Sequence, residues 1–527
     1  MRIVIDMQGA QTESRFRGIG RYTLSFAQAI VRNRGEHEVF LALSGLFPDT
    51  IEPIRAAFDS LLPQENIRVW YAPGPVAECH PGNDVRREVA ELIREAFLSS
   101  LAPDVIHISS LFEGYVDDAV TSIGRFDRST PVSVTLHDLI PLLNPDHYLK
   151  PNPSYAQYYQ RKIKHLKKAA VHLAVSESSR QEGLEHLAVP ANQIFNTSEA
   201  IEPCFCPHQI DDATAAQLRQ KFGLNRPFVL YTGGADERKN LPRLIHAYAV
   251  LPAPLRAAHQ LLLAGKMPEG NIAEFKHLAK TAGLKPDELS FTGYVTDEEL
   301  IQLYNLCELF VFPSWHEGFG LPALEAMACG APVIGANTSS LPEVIGLEAA
   351  LFDPLDVAAI TAKMTHALKD KKFRTTLREH GLQQAKRFSW NESAKRAIVA
   401  WESLLKSQPQ QKSARQPTGR KPRLAFVSPL PPERTGIADY SAELLPALAA
   451  HYDIEVVVAQ DRVDDPWVNR HGTVRDVSWL RAHANEIDRV LYHVGNSLFH
   501  QHMLPLLREI PGTVVLHDFY MSGLMAW

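Results

Sequence analysis

The chain has 527 residues, too many for one hydrophobic core, so three or four domains are expected. Its 45% hydrophobic and 22% charged content is that of a globular protein, and a net charge of −6 gives no global reason to expect nucleic acid or an anionic membrane as partner. Five cysteines (Cys79, Cys204, Cys206, Cys307, Cys329) are few and odd in number, which suits a reducing, cytoplasmic compartment without a disulfide framework.

The opening MRIVIDMQGA reads as a strand, because it lacks the sustained apolar core of a signal peptide. Strands are predicted at 3–7, 39–43, 104–109, 131–138 and 172–176, with helices between them such as RYTLSFAQAIVRN and SYAQYYQRKIKHLKKAA. A second series follows at 228–233, 260–265, 289–293, 309–314 and 332–337. Strands alternating with amphipathic helices predict an α/β class with parallel sheets, and this count fits two Rossmann-like domains, 1–206 and 207–389. A helix over 390–406 is expected to cross back onto the first domain. No run of about 18 apolar residues is present to span a membrane.

Residues 407–421 are polar, basic and proline-bearing, and read as a linker. After them the chain begins again: RLAFVSPLPPERTGIADYSAELLPALA (423–449) echoes RIVIDMQGAQTESRFRGIGRYTLSFAQAI (2–30), and TVVLHDFYMSGL (513–524) echoes VSVTLHDLIPLL (132–143). Residues 422–527 are therefore expected to be the start of a second, homologous unit, on a partial or truncated chain.

Four stretches carry candidate chemistry. Gly18 and Gly20 in Arg17-Gly18-Ile19-Gly20-Arg21-Tyr22 follow the first strand and open a helix, where backbone can approach an anion closely. Thr23 breaks the dinucleotide fingerprint G-x-G-x-x-G, which disfavours a dehydrogenase. His137 and Asp138 end an apolar strand at the edge where open sheets place ligands; the histidine is placed to donate to a substrate hydroxyl, oriented by the aspartate. Gly233-Gly234 with Arg238 and Lys239 at a helix start presents a guanidinium and an ammonium to phosphate oxygens. The helix 155–170 carries Arg161, Lys162, Lys164, Lys167 and Lys168, and reads either as a solvated face or as a contact with an anionic membrane surface. Cys204 and Cys206 read as structural thiols, because no second Cys/His pair stands nearby at zinc spacing.

The fourth stretch is SWHEGFGLPALEAMACG (314–330). Glu317 precedes a Gly318-Phe319-Gly320 turn, Leu321-Pro322 starts a helix, and Glu325 lies about one turn inside it. Both carboxylates are expected to face one cleft, with the amides of Gly318 through Leu321 forming an anion site.

Glu317-x7-Glu325, the Gly-Gly…Arg238-Lys239-Asn240 loop, the His137-Asp138 strand end and the RGIGRY loop resemble retaining glycosyltransferases of family 4 (group 1), across about residues 1–406. The resemblance implies a GT-B fold, in which an acceptor domain and a donor domain, both Rossmann-like, face across a cleft, with 422–527 a partial third domain. It implies a nucleotide-sugar donor and no metal, in keeping with the absence of an Asp-x-Asp. It implies that Arg238 and Lys239 hold the diphosphate, Glu325 the ribose and Glu317 the moving sugar, with His137 beside that sugar and Gly18 and Gly20 leaving room for phosphates. The usual Gly-Gly after the second glutamate is replaced by 336–343, where Ser339 and Ser340 would have to supply phosphate contacts. In the second copy Ala438 and Asp439 stand where Gly20 and Arg21 do. Tandem units of this kind resemble bacterial O-antigen or polymannan mannosyltransferases, which makes GDP-mannose the favoured donor and a lipid-linked glycan the favoured acceptor, with no nucleic acid. A sugar phosphorylase, a nucleotide-sugar epimerase or a non-catalytic sugar-nucleotide scaffold are the alternatives.

Overall fold

A computed structural model describes residues 1–407 and 421–526. They form two compact units on either side of 408–420, so most of the expected linker lies outside the described residues.

The first unit contains two parallel sheets. One comprises β1 (Arg2–Asp6), β2 (Glu38–Ser44), β3 (Ile67–Trp70), β4 (Val105–Ile108), β5 (Val132–Leu136), β6 (Val171–Ala174) and β7 (Ile194–Asn196), in the order β3-β2-β1-β4-β5-β6-β7. Its helices include α1 (Gly18–Asn33), α2 (Pro153–Leu166) and α3 (Glu177–His186). Central strands such as VIHI and IVID are buried on both faces, as helix-covered parallel sheets require. The predicted strands all recur here. The short edge strands β3 and β7 were not expected from the sequence, because an edge strand has one neighbour and needs no long apolar run.

The second sheet comprises β8 (Phe228–Thr232), β9 (Gln260–Ala264), β10 (Leu289–Phe291), β11 (Leu309–Phe312), β12 (Val333–Ala336) and β13 (Leu351–Phe352), in the order β10-β9-β8-β11-β12-β13. Two of its helices matter below, α4 (Asp297–Leu306) and α5 (Leu321–Ala328). Here too an edge, the two-residue β13, escaped the sequence reading.

Helix α6 (Trp390–Ser407) follows the second sheet yet packs on α1, β6 and β7 of the first. Its apolar face buries Ala394, Ala397, Ile398 and Trp401. Trp401 meets His107 with ring centroids 5.4 Å apart, and Trp390 meets Tyr22 edge-on at 5.6 Å. One apolar cluster therefore runs from β1 and α1 through α6 into the second sheet, and fixes both halves about their shared cleft.

The second unit is a five-stranded parallel sheet, β14 (Arg423–Val427), β15 (Asp453–Val458), β16 (Thr473–Asp476), β17 (Arg489–Val494) and β18 (Thr513–Leu516), in the order β16-β15-β14-β17-β18. Helix α7 (Gly436–Ala449) occupies the place of α1. The order repeats β3-β2-β1-β4-β5, and among the described residues no strand continues it as β6 and β7 continue the first sheet. Separate clusters cover its two faces.

Candidate functional site

The C-terminal ends of β1, β5, β7, β8 and β11 converge on the cleft of the first unit, as the topology of open parallel sheets dictates. After β8, Gly233 takes φ +145°, and a Cβ there would meet the Tyr231 hydroxyl at 2.5 Å. The chain then forms a tight turn, Glu237–Lys239, capped by Asp236. Arg238 and Lys239 stand just before the helix, which begins at Leu241 after Asn240 takes the left-handed conformation (φ 60°). The Asn240 amide is buried and donates to the carbonyls of Pro313 (3.0 Å) and Pro354 (2.7 Å), which pins the turn to the end of β11.

That pin brings three of the sequence-predicted residues into contact. Arg238 Nη1 donates to Glu317 Oε2 at 2.6 Å and to the His316 carbonyl at 3.0 Å, and Lys239 Nζ reaches Glu317 Oε1 at 2.5 Å. Glu317 is 7% exposed. Burial alone would raise its pKa, but Lys239 and Arg238 outweigh it and hold the carboxyl down to about 2. Burial lowers the Lys239 pKa, whereas Glu317 and Asp138 lift that of Arg238 against burial.

The loop after Glu317 is braced from beneath. Ser340, fully buried, donates to the carbonyls of Glu317 (3.0 Å) and Phe319 (2.6 Å), and the Ser339 hydroxyl accepts from the Glu317 N–H at 3.0 Å. The expectation that the Ser340 hydroxyl faces a phosphate is corrected: it holds the loop, and Ser339 braces Glu317 through its hydroxyl oxygen. The Phe319 ring packs edge-on against Phe388 in the core (5.5 Å), which leaves only its backbone N–H to face the cleft. Gly320 takes φ +108° and Leu321 opens α5. Among the described residues none accepts a hydrogen bond from the N–H groups of Gly318, Phe319, Gly320 or Leu321. Four amides and a helix N-terminus are thus left available to an anion.

This loop presses on the first domain. A Cβ on Gly318 would overlap the His137 carbonyl, and the Gly318 carbonyl accepts from Ser176 (2.6 Å) and Ser179 (3.1 Å) at the start of α3. Glu343 crosses in the same direction and accepts from the N–H groups of Glu177 and Ser178. His316 Nε2 meets Glu182 Oε1 at 2.7 Å.

His137 lies where the sequence placed it, but Asp138 does not orient it. The imidazole Nε2 donates to the Ser109 carbonyl at 3.0 Å, and Nδ1 faces Glu199 Oε1 at 3.6 Å. Asp138 instead accepts from the Ile140 N–H, closing its own turn. Burial depresses the His137 pKa, and the hydrogen bond and charge of Glu199 outweigh it, so the net shift is upward. Glu199 follows β7, and its own pKa is raised by burial. Tyr22 of α1 stacks edge-on against the ring at 4.9 Å.

The glycines of the first loop divide. A Cβ on Gly18 would lie 3.5 Å from Leu321 Cδ1, at the cleft. One on Gly20 would strike the backbone of Ser14 (2.5 Å from its oxygen) and Arg15. Gly20 therefore admits the preceding turn, Glu13–Phe16, and makes no room for a ligand. Glu325, nearly buried, accepts from the Tyr304 hydroxyl at 2.9 Å and lies 3.6 Å from Arg21 Nη1; burial raises its pKa, which Arg21 and Tyr304 oppose.

Helix α2 does not offer a uniform basic face. Lys162 is buried, with Nζ donating to the Thr121 carbonyl at 2.8 Å, and burial brings its pKa down to about 7. Arg161 is ion-paired with Glu78 and Glu91, and Lys168 donates to the Ile123 carbonyl. Cys206 Sγ contacts His208 Nε2 at 3.3 Å, and no group of three or more metal-ligating side chains converges among the described residues. No helix among them is long and apolar enough to cross a membrane.

The second unit repeats part of this arrangement. His517 stacks edge-on against Tyr440 at 5.0 Å, as His137 does on Tyr22. Its Nε2 meets His493 Nδ1 at 2.9 Å, where a backbone carbonyl receives His137 in the first unit. Burial, with His517 and His500 beside it, lowers the His493 pKa to about 4.

Comparison with known proteins gives the family and the fold of the first unit. The family described as Glycosyltransferase Family 4 matches residues 16–195, and that described as Glycosyl transferases group 1 matches 215–384. The serotype-specific mannosyltransferase WbdA of Escherichia coli is 40% identical over 408 residues, 77% of this chain and 48% of WbdA; this chain thus spans about half the length of that relative. The O-antigen chain mannosyltransferase B of Escherichia coli is 35% identical over 281 residues, 53% of this chain and 71% of that protein. Among solved structures, Anabaena Alr3699/HepE in complex with UDP and glucose aligns with a TM-score of 0.55 at 18% identity, over 76% of this chain and all of that one, which places the first unit in the GT-B fold.

Proposed function

This chain belongs to the group 1, family 4 glycosyltransferases, and from that premise we propose that it transfers mannose from GDP-mannose to a growing, lipid-linked glycan of the O-antigen type, with retention of configuration. The observation that carries the reading is the Arg238–Lys239–Glu317 cluster, set against the strand end that bears His137 and the open amides of 318–321. On donor binding, the diphosphate draws Arg238 and Lys239, and Glu317 exchanges those partners for sugar hydroxyls. Glu325 receives the ribose. The bond from the sugar C1 to the phosphate oxygen breaks, the acceptor hydroxyl oxygen bonds to C1 on the same face, and its proton passes to the departing phosphate. The side chains supply position and charge neutralisation, without a covalent intermediate and without a metal.

The mannose assignment draws on the names of WbdA and the O-antigen chain mannosyltransferase. A membrane contact through 155–170 is not part of the proposal, since Arg161 and Lys162 are committed to internal partners. The full chain incubated with GDP-mannose or UDP-glucose, with and without a mannosyl acceptor, tests the reading. An α-linked mannosylated product with GDP release, only when acceptor is present, is expected. Phosphate-dependent cleavage, epimerised donor, or nucleotide binding without turnover would replace it with a phosphorylase, an epimerase or a scaffold.

A further inference from the structure

Glu325 sits inside a chain of polar contacts drawn from both halves of the first unit. Tyr304 of α4 donates to Oε2 at 2.9 Å, and its hydroxyl also meets Thr232 Oγ1 at 2.8 Å, at the end of β8. On the other side Arg21 Nη1 lies 3.6 Å from Oε1, and Arg21 Nη2 is ion-paired with Asp297, the first residue of α4. Arg21 belongs to the first turn of α1, in the domain of the first sheet; its two partners, Asp297 and Glu325, belong to the domain of the second. Side-chain exposure falls from 61% at Asp297 to 34% at Arg21 and 9% at Glu325, so the guanidinium closes the solvent end of the pocket that holds the carboxylate.

We propose that Arg21 is a positioning residue for the donor: reaching across the cleft, it keeps the Glu325 carboxylate charged and aimed, so that ribose recognition and apposition of the two domains are one event. The proposal rests on Glu325 being the ribose ligand. A carboxylate accepts from two ribose hydroxyls only when ionised, and a buried one without a cation takes up a proton instead. The titratable groups around it are Arg21 on α1, Tyr304 and Asp297 on α4, and Cys329 at the end of its own helix, beyond which lie Cys204 and Cys206. Arg21 is the cation among them, and Asp297 opposes it. The second unit has Asp439 at the position of Arg21, a reversed charge that would expel rather than hold a carboxylate.

Calorimetric titration of the full chain with GDP at about pH 6 and pH 8.5 tests this. Arg21→Met is expected to weaken GDP binding at least about tenfold more at the lower pH than at the higher, since one pKa unit is a factor of ten. Binding to the variant is also expected to release a proton, read from the dependence of the heat on buffer ionisation. Arg21→Lys is expected to restore the wild-type pH dependence. An equal loss at both pH values, or none, overturns the proposal, and so does a lysine variant that behaves like methionine. Glu325→Gln separates the two readings: if it leaves GDP affinity unchanged at both pH values, the ribose assignment itself is wrong.

Discussion

The same half-sheet occurs twice in this chain, and the two copies differ in what surrounds it. In both, a tyrosine on the first helix stacks edge-on against a histidine at the end of the fifth strand, at 4.9 and 5.0 Å. In the first copy β6 and β7 extend the sheet and deliver Glu199 to His137, and the second sheet brings Arg238, Lys239 and Glu317 opposite. In the second copy the described residues place His493 against His517, with no carboxylate and no cation pair. The repeated part is therefore architecture. Most of the charged groups of the candidate site come from elements outside the repeat, with His137 and Arg21 the exceptions.

The sharpest way to break this comparison is to remove the histidine of one copy and the cation of the other. Lys239→Ala is expected to lower the transfer rate about 10²–10³-fold, the range for losing one preorganised charge-stabilising donor, and His517→Ala to leave it unchanged. Equal losses in an assay of sugar transfer would show that the second copy takes part in the reaction.

A smaller effect concerns the partner of the histidine. The His137 pKa is raised in the fold, so its stabilising contribution is present below the ordinary histidine value near 6.5 and disappears as pH rises through the raised value. Glu199→Gln is accordingly expected to cost about 1–3 kcal/mol near pH 6 and less near pH 9, measured by denaturant unfolding of the first unit. A pH-independent loss would mean that Glu199 holds the loop without holding the proton.

The smallest effect is that of Ala438→Gly, which contrasts with its counterpart Gly20→Ala. Gly20→Ala drives a methyl group into the Ser14–Arg15 backbone and is expected to cost about 1–3 kcal/mol. Ala438→Gly, in a buried helical position with no such neighbour, is expected to cost about 0.5–1 kcal/mol. Hydrogen exchange resolved to peptides of α1 and α7 reads each effect in its own unit.

The errors of the sequence reading have one origin. Glu199 went unseen because β7, the strand that delivers it, is three residues at a sheet edge. Asp138 was given its role because it adjoins His137 in sequence, and the structure turns its carboxylate to its own loop. Ser340 and Gly20 lie in motif positions, but the Ser340 hydroxyl braces the loop and Gly20 admits a turn, which only their neighbours reveal. Arg21 stood inside a quoted motif, yet nothing in the motif pointed to Asp297 and Glu325, some three hundred residues away.

By itself the sequence determined the α/β class, the central strands, the repeat and the charged residues of the cleft, since apolar runs and strand-end motifs are local in the chain. Tertiary structure decided which of those charges meet. Partner choice depends on the packing of α6 against α1 and of the 318 loop against His137, distances that no spacing along the chain encodes.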